Sequence, residues 1–329
     1  DLIFRKKIKV KNSLMVNSGS SANLLSMQCL INPYRKKRLK QGDEVLIPAL
    51  CWSTSLWPIV QSGLKPIFVD INISDLNIDL NDLEKKITKK TKAIIVVHML
   101  GVPARLDEIK KIADKYDIPL IEDTAWGCGG YYNEIPLGTY GDIGTYSFDF
   151  AKTMTTGEGG MITTNNKELH DRLVLLRNHG LRNRDICDEF AYNSRLDTLQ
   201  AIVAKHYLKK INHITDMRIR NASLFDKKLS AIKEITIPER YKSTKQVFHI
   251  YVIRVKQRDE LQRFLIKNGI DAKIHYPTPM HLQPASKNFG YSIGDFPIAE
   301  KICQEVLSLP VHEFITVEQR EYMLNKIKE

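Results

Sequence analysis

One lysine of this chain lies in an unusually apolar setting. Lys152 ends the segment 146–152 (YSFDFAK), and a glycine-rich stretch at 157–160 (GEGG) follows shortly after it. Apolar neighbours remove part of the hydration of an ammonium group, which lowers its pKa and makes the neutral amine available as a nucleophile. A lone lysine is nearly always a surface charge, so this interpretation depends on what accompanies it.

Two adjacent carboxylates, Glu122 and Asp123, follow an apolar run that reads as a strand. Ligands bind at the carboxyl ends of strands in open α/β sheets. A carboxylate at that edge needs a cation, and either a metal ion or a protonated ring nitrogen would serve. Taken alone, an aspartate that caps the next helix is the simpler interpretation.

Small hydroxyl-bearing residues precede a helical pattern at 17–23 (NSGSSAN). The free N–H groups at a helix N-terminus bind anions, and Gly19 lets the backbone come close to a ligand. An ordinary serine N-cap explains this stretch equally well by itself.

Together the three segments offer an anion site, an acid for a ring nitrogen and an amine for a Schiff base. These are the requirements of pyridoxal 5'-phosphate (PLP). The ring of that cofactor also needs a stacking partner. Trp52, just past a predicted strand end, supplies an aromatic side chain, with core packing as the alternative.

The surrounding sequence alternates short apolar runs with amphipathic segments over its first two thirds. We predict strands at 45–48, 66–69, 93–98 and 119–122, a further strand pair at 143–148 and 160–164, and helices at 82–90 and 106–116. Buried strands separated by helices indicate an α/β fold with a mainly parallel sheet flanked by helices.

The last third of the chain has a different pattern of predicted helices and strands. We predict a long helix at 197–232, an alternating strand at 247–255, and helices at 258–268 and 298–307. This pattern indicates a smaller C-terminal α+β domain. We place the large domain at 1–215 and the small domain at 216–329.

Composition narrows the class of protein. The chain has 329 residues, 43 % hydrophobic and 26 % charged, with a formal net charge of +11. No apolar run spans a bilayer, no signal peptide is recognisable, and the five scattered cysteines fit neither a disulfide framework nor a zinc site. We expect a cytoplasmic protein without a metal, a membrane or a nucleic-acid partner. Two clusters of basic residues, at 5–7 and 35–38, keep nucleic-acid binding open as a third interpretation.

The motifs resemble those of the DegT/DnrJ/EryC1/StrS family of PLP-dependent sugar aminotransferases, which have PLP-transferase fold type I. The matching segments are 17–23, 42–52, 66–70, 121–130, 141–164, 177–180, 192–199 and 295–311. They cover nearly the whole chain, and the spacing from Ser147 to Lys152 before GEGG is highly specific. The family has more residues before the first segment, so we expect the N-terminus to be truncated.

The resemblance implies roles for seven residues. It makes Lys152 the lysine that bonds to PLP and Asp123 the partner of the ring nitrogen. It assigns the phosphate to Gly19, Ser20 and Ser147, and the stacking contact to Trp52. It also implies a homodimer with shared active sites, in which Asn193 reaches the phosphate of the neighbouring subunit.

The implied reaction is transamination of a keto-sugar, nucleotide-linked or a sugar acid, with glutamate as the expected amino donor. Such a product serves the synthesis of a surface polysaccharide or a related glycan. A related dehydratase has histidine at the lysine position, so Lys152 argues against dehydration. A non-catalytic regulatory subunit also remains open.

One departure from the family is Trp126, because glutamine or histidine is usual at that position, near the ring hydroxyl of the cofactor. Four other residues in loop-like segments are candidates for a sugar site, with surface or core packing as the alternative: His179, His275, Tyr276 and His281. Arg182 and Arg184 are weaker candidates for binding an anion.

Overall fold

The computed structural model describes residues 1–329 and contains ten α-helices and twelve β-strands. The helices are α1 (Leu2–Ile8), α2 (Gly19–Ile31), α3 (Ser53–Gln61), α4 (Leu80–Lys86), α5 (Leu106–Lys115), α6 (Lys167–Arg177), α7 (Thr198–Leu229), α8 (Arg258–Lys267), α9 (Pro297–Glu305) and α10 (Val317–Lys328). The strands are β1 (Asn12–Val16), β2 (Glu44–Pro48), β3 (Lys65–Val69), β4 (Thr91–Val97), β5 (Leu120–Asp123), β6 (Tyr131–Tyr132), β7 (Ile135–Pro136), β8 (Ile143–Ser147), β9 (Gly160–Thr164), β10 (Thr244–Lys245), β11 (Tyr251–Arg254) and β12 (Val306–Leu309). None of the helices is both long and apolar enough to cross a membrane.

A seven-stranded sheet forms the centre, in the order β1-β9-β8-β5-β4-β2-β3. The four pairings from β8 to β3 are parallel, whereas β9 pairs antiparallel with β1 and with β8. Every residue of β2 and of β8 is buried, as expected for strands of a parallel sheet that is covered on both faces. The predicted mainly parallel sheet is confirmed.

Helices cover both faces of this sheet. On one face α2, α3 and α6 contribute to a core of 38 buried residues. On the other, α5 buries Leu106, Ile109 and Ala113 in a second core of 14 residues. The helical spacing of these three residues produces an apolar stripe that faces the sheet.

The order of elements brings three chain segments to one edge of the sheet. Strand β5 ends at Asp123, strand β8 ends at Ser147, and α2 begins at Gly19 against β8. The side chain of Ser18 caps α2 by accepting a hydrogen bond from the Ser21 N–H at 3.0 Å. Asp123, Ser147 and Gly19 therefore lie directly at the ends of regular elements, whereas Lys152 lies in the turn that follows β8.

The C-terminal region has its own core of 17 buried residues, which runs from Ala222 in α7 to Ile327 in α10. Within it β11 pairs antiparallel with β12. Helix α7 is continuous through residue 215, so the division of the chain at that residue stays a prediction.

Two predicted elements differ from the structure in this region. The strand predicted at 247–255 is limited to 251–254, because Phe248 has a φ of 49°, which interrupts an extended backbone. The helix predicted at 298–307 ends at Glu305, since Val306–Leu309 is a strand. A run of four buried residues is too short for periodicity to separate a strand from a helix end.

The buried carboxylate of Glu122, next to Asp123, forms hydrogen bonds with the segment 138–141 that leads into β8. Glu122 accepts hydrogen bonds from the N–H groups of Gly138 at 2.8 Å and Gly141 at 2.6 Å. Its third contact is His98 Nε2 at 3.3 Å. The Nδ1 atom of His98 accepts from the Ala104 N–H at 3.2 Å, so Nε2 carries the ring proton and donates to Glu122.

We expect Glu122→Gln to lower the free energy of unfolding by about 2–4 kcal/mol. The substitution replaces one carboxylate oxygen by an NH2 group, which cannot accept a hydrogen bond and leaves one backbone N–H without its acceptor. Chemical denaturation measures the change. Glu321→Gln, at an exposed carboxylate, is the control and should change stability by less than about 0.5 kcal/mol. Equal effects of the two variants would show that the buried acceptor has no special role.

Candidate active site

A cavity of about 390 Å³ opens at the edge of the sheet where β5 and β8 end. Its volume suits a small-molecule ligand. Six of the seven residues given roles from the sequence line it: Gly19, Ser20, Trp52, Asp123, Ser147 and Lys152. The seventh, Asn193, is exposed and does not line the cavity of its own chain.

Lys152 presents its amine to the inside of this cavity. Its Nζ atom lies 4.1 Å from the centre of the Trp126 ring, and the side chain is half-buried. Burial lowers the pKa of the Lys152 amine below its usual value, although the carboxylates of Asp149 and Asp123 oppose the shift. The neutral, nucleophilic amine is therefore present at a lower pH than for an exposed lysine.

Asp123 is held by hydrogen bonds that only an acceptor can satisfy. Its Oδ2 atom accepts from Asn23 Nδ2 at 2.9 Å and from Ser55 Oγ at 2.7 Å, and its Oδ1 atom accepts from the Ala125 N–H at 3.1 Å. Asn23 is oriented in turn by Thr145, whose Oγ1 donates to Asn23 Oδ1 at 2.7 Å. Three donors thus fix the orientation of this buried carboxylate at the base of the cavity.

Three hydrogen-bond donors converge at the start of α2. The N–H groups of Gly19 and Ser20 donate to no other group of the chain, and neither does the hydroxyl of Ser147. A Cβ atom added at Gly19 would lie 2.7 Å from Ser147 Cβ, so only glycine permits this approach. Free donors at the N-terminus of a 13-residue helix form a site for an anion such as a phosphate.

Aromatic rings surround the rest of the cavity. Trp52 precedes α3 and is 51 % exposed, with its ring centre 5.4 Å from that of Tyr276. The Trp126 ring meets that of Tyr276 at 6.2 Å and an interplanar angle of 74°. The Tyr276 hydroxyl is buried without a hydrogen-bond partner, and burial raises its pKa well above the usual value. Its O–H remains free to bond a ligand in the cavity.

The C-terminal region contributes two of the four loop residues that were candidates for a sugar site. His275 and Tyr276 line the cavity, whereas His179 and His281 do not. His281 is a buried packing residue, with Nε2 at 3.1 Å from Glu300 Oε1.

Sequence reasoning missed the partners of Asp123. Asn23 falls within the recognised 17–23 segment, where its position four residues after Gly19 on α2 could have indicated an inward-facing side chain. Ser55 and Thr145 carry no comparable signal, because each reaches Asp123 or Asn23 only through the packing of distant segments.

Known proteins with related sequences include sugar-modifying enzymes of two kinds. The chain is 36 % identical over 289 residues to the dTDP-3-amino-3,6-dideoxy-alpha-D-galactopyranose transaminase of Aneurinibacillus thermoaerophilus, covering 87 % of this chain and 78 % of that protein. It is 34 % identical to the GDP-4-keto-6-deoxy-D-mannose 3-dehydratase of Yersinia pseudotuberculosis, covering 97 % of this chain and 87 % of that protein.

Solved structures give the same fold. The crystal structure of S. venezuelae DesV in complex with a ketimine intermediate matches with a TM-score of 0.95 and 30 % identity, covering 100 % of this chain and 87 % of that one. The predicted fold type and enzyme class are confirmed. Because the sequence model of the family matches residues 3–328, the chain belongs to the DegT/DnrJ/EryC1/StrS aminotransferase family.

Proposed function

We propose that this aminotransferase uses PLP to transfer an amino group from glutamate to the carbonyl carbon of a keto-sugar. The observation that carries the proposal is that one cavity is lined by a shielded amine, a buried carboxylate and three free hydrogen-bond donors that suit an anion. Lys152, Asp123 and the start of α2 supply these groups in that order. The related transaminase, named for a dTDP-linked amino sugar, supports the substrate class.

The residues of the cavity fit the cofactor at each of its polar groups. The N–H groups of Gly19 and Ser20 and the hydroxyl of Ser147 would hold the phosphate. Asp123 would hold a proton on the ring nitrogen, and Trp52 would cover the ring. Two features indicate a bound ligand. Gly19 leaves free the space beside Ser147 that a Cβ atom would occupy, and the buried Tyr276 hydroxyl has no hydrogen-bond partner within the chain.

When bound, PLP supplies an aldehyde that bonds to amines and a ring that withdraws electrons from the attached carbon. The chain supplies the proton transfers. Lys152 Nζ would accept the proton from the carbon that bears the amino group and return it one position away, a contribution of about 10²–10⁴-fold. Asp123 would keep the ring nitrogen protonated, and the aromatic walls would limit access of water.

The substrate class includes nucleotide-linked keto-deoxysugars and sugar acids, and the product serves glycan synthesis. Dehydration without amino transfer and a purely regulatory role are the alternatives. Lys152 favours transamination over both, because amino transfer requires a nucleophilic amine in the cavity and a regulator needs no shielded amine.

A panel of keto-sugars incubated with ¹⁵N-glutamate and PLP tests the proposal by mass spectrometry of the products. Transamination replaces a carbonyl oxygen by a ¹⁵N-labelled amino group. A product that has lost a hydroxyl group without gaining ¹⁵N would identify a dehydratase. No product from any sugar, despite bound cofactor, would favour the regulatory role.

We further propose a cytoplasmic homodimer in which Asn193 reaches the phosphate of the neighbouring site. Three exposed apolar side chains support a partner surface: Phe150, Leu199 and Ile202. Phe150 lies directly between Asp149 and Ala151, both of which line the cavity, so a second subunit packed there would border the site.

Gly19→Ala tests the phosphate cradle. The added methyl group would contact Ser147 Cβ at 2.7 Å and push apart the donors of the cradle. We expect PLP to bind at least about tenfold more weakly, a cost of about 1.4 kcal/mol, as measured by titrating the visible absorbance. The control is Ala22→Ser, one turn further into α2. Unchanged affinity for PLP in Gly19→Ala would show that the phosphate does not bind at the start of this helix.

A further inference from the structure

The amine of Lys152 needs a counter-ion whenever it is free and protonated. Its Nζ atom lies over the Trp126 ring, and the side chain forms no ion pair within 4.0 Å. An ammonium group in a partly dry site is costly unless a negative charge faces it. The carboxylates that line the same cavity are therefore the candidates for this role.

Three carboxylates line the cavity: Asp123, Asp149 and Glu158. The oxygens of Asp123 already accept three hydrogen bonds from Asn23, Ser55 and Ala125. Glu158 is exposed and is not among the charges that act on Lys152. Asp149 is half-buried, and its attraction for the Lys152 ammonium group exceeds that of Asp123.

A tight turn fixes Asp149 relative to Lys152. The Asp149 carbonyl accepts the Lys152 N–H at 2.9 Å, and its Oδ1 atom accepts the Ala151 N–H at 3.0 Å. Its Oδ2 atom has no hydrogen-bond partner, and the side chain forms no ion pair with any basic residue. One carboxylate oxygen is thus free, at a position set by backbone hydrogen bonds.

The remaining titratable groups around Lys152 are neutral at physiological pH. Burial lowers the pKa of His249 well below its usual value and that of His275 to a smaller extent, and the charge of Lys152 adds to both shifts. Burial raises the pKa of the Tyr276 hydroxyl. None of these three side chains can therefore balance an ammonium charge.

We propose that Asp149 is the counter-ion of the Lys152 ammonium group, a positioning residue that holds the positive charge in the cavity whenever the amine is free. The significance of this pairing for amino transfer rests on the proposed function, because only there does Lys152 alternate between a bonded and a free state. The pairing itself is a property of the chain and can be measured without a cofactor.

The sign of the effect follows from the charge. A nearby carboxylate stabilises the ammonium form and raises the pKa of the amine, whereas burial lowers it. Asp149→Asn removes the charge but keeps an oxygen that accepts the Ala151 N–H, so the turn is preserved. The variant should therefore move the pKa of Lys152 downward by about one unit.

The experiment is pH-dependent labelling of the full chain, freed of cofactor, with trace acetic anhydride, which acetylates only neutral amines. Peptide mass spectrometry gives the rate at Lys152 from pH 6 to 11, with exposed Lys167 as the internal standard. The midpoint should fall by about one pH unit in Asp149→Asn, stay in place in Glu158→Gln, and return towards the wild-type value in Asp149→Glu. An unchanged midpoint in Asp149→Asn, or equal shifts in Asp149→Asn and Glu158→Gln, would overturn the proposal.

Borohydride reduction of the holoprotein separates this inference from the proposed function. Labelling at Lys152 with no shift in Asp149→Asn would reject the counter-ion and leave the aminotransferase intact. Labelling at another lysine, together with the expected shift, would reject the role of Lys152 in amino transfer and leave the role of Asp149 as its counter-ion intact.

Discussion

Lys152→Ala should give a folded chain that neither bonds to PLP nor transfers an amino group. The substitution removes both the nucleophile that attaches the cofactor and the base that moves the proton, so we expect turnover to fall by at least about 10⁴-fold. The Lys152 side chain makes no hydrogen bond within the chain, so its truncation leaves no donor or acceptor unpaired. Visible absorbance and borohydride trapping measure the loss of the bond to PLP, and initial rates measure the loss of amino transfer.

Lys167→Ala is the matched control, because it removes an exposed lysine whose partner is Asp171 on the same helix. It should retain the absorbance of the bound cofactor and nearly all activity, since a surface ion pair of this kind contributes little. Retained turnover in Lys152→Ala, or loss of the trapped adduct in Lys167→Ala alone, would contradict the assignment of the reactive amine.

The parts of the site that local sequence determines were predictable. Asp123 ends a strand, Gly19 begins a helix and Lys152 lies in the turn after β8, and each of these positions has a signature within about seven residues. The order of parallel strands then brings these positions to one edge of the sheet. Residue type and spacing therefore sufficed to place the three groups in one cavity.

The parts that depend on distant packing were not predictable. Ser55 reaches Asp123 across 68 positions, and Tyr276 enters the cavity from the C-terminal region. Neither has a local pattern, because its position depends on how α3 and the C-terminal region pack against the rest of the chain. The strand predicted at 247–255 is interrupted for a similar reason, which the local sequence does not reveal. Phe248 adopts a left-handed backbone conformation that its own residue type disfavours.

Asp123→Asn is the second substitution with a large expected effect. The amide preserves the volume of the side chain, and its oxygen can still accept from Asn23 and Ser55. Its NH2 group then faces the Ala125 N–H, so we expect a loss of stability of about 1–3 kcal/mol in addition to the effect on catalysis. The substitution removes the negative charge that would hold a proton on the ring nitrogen. We expect the affinity for PLP to change by less than about tenfold and turnover to fall by about 10²–10⁴-fold, because a neutral ring withdraws electrons poorly.

Ser55→Ala separates the charge of Asp123 from its orientation. This variant removes one hydrogen bond to Oδ2 but keeps the carboxylate itself, so turnover should fall by only about tenfold, for a lost bond of about 1.5 kcal/mol to a charged group. Steady-state rates and cofactor titrations on both variants give the comparison. If Asp123→Asn kept a near-normal rate, or lost no more than Ser55→Ala, the buried carboxylate would only orient neighbouring groups, and the proton on the ring nitrogen would need another source.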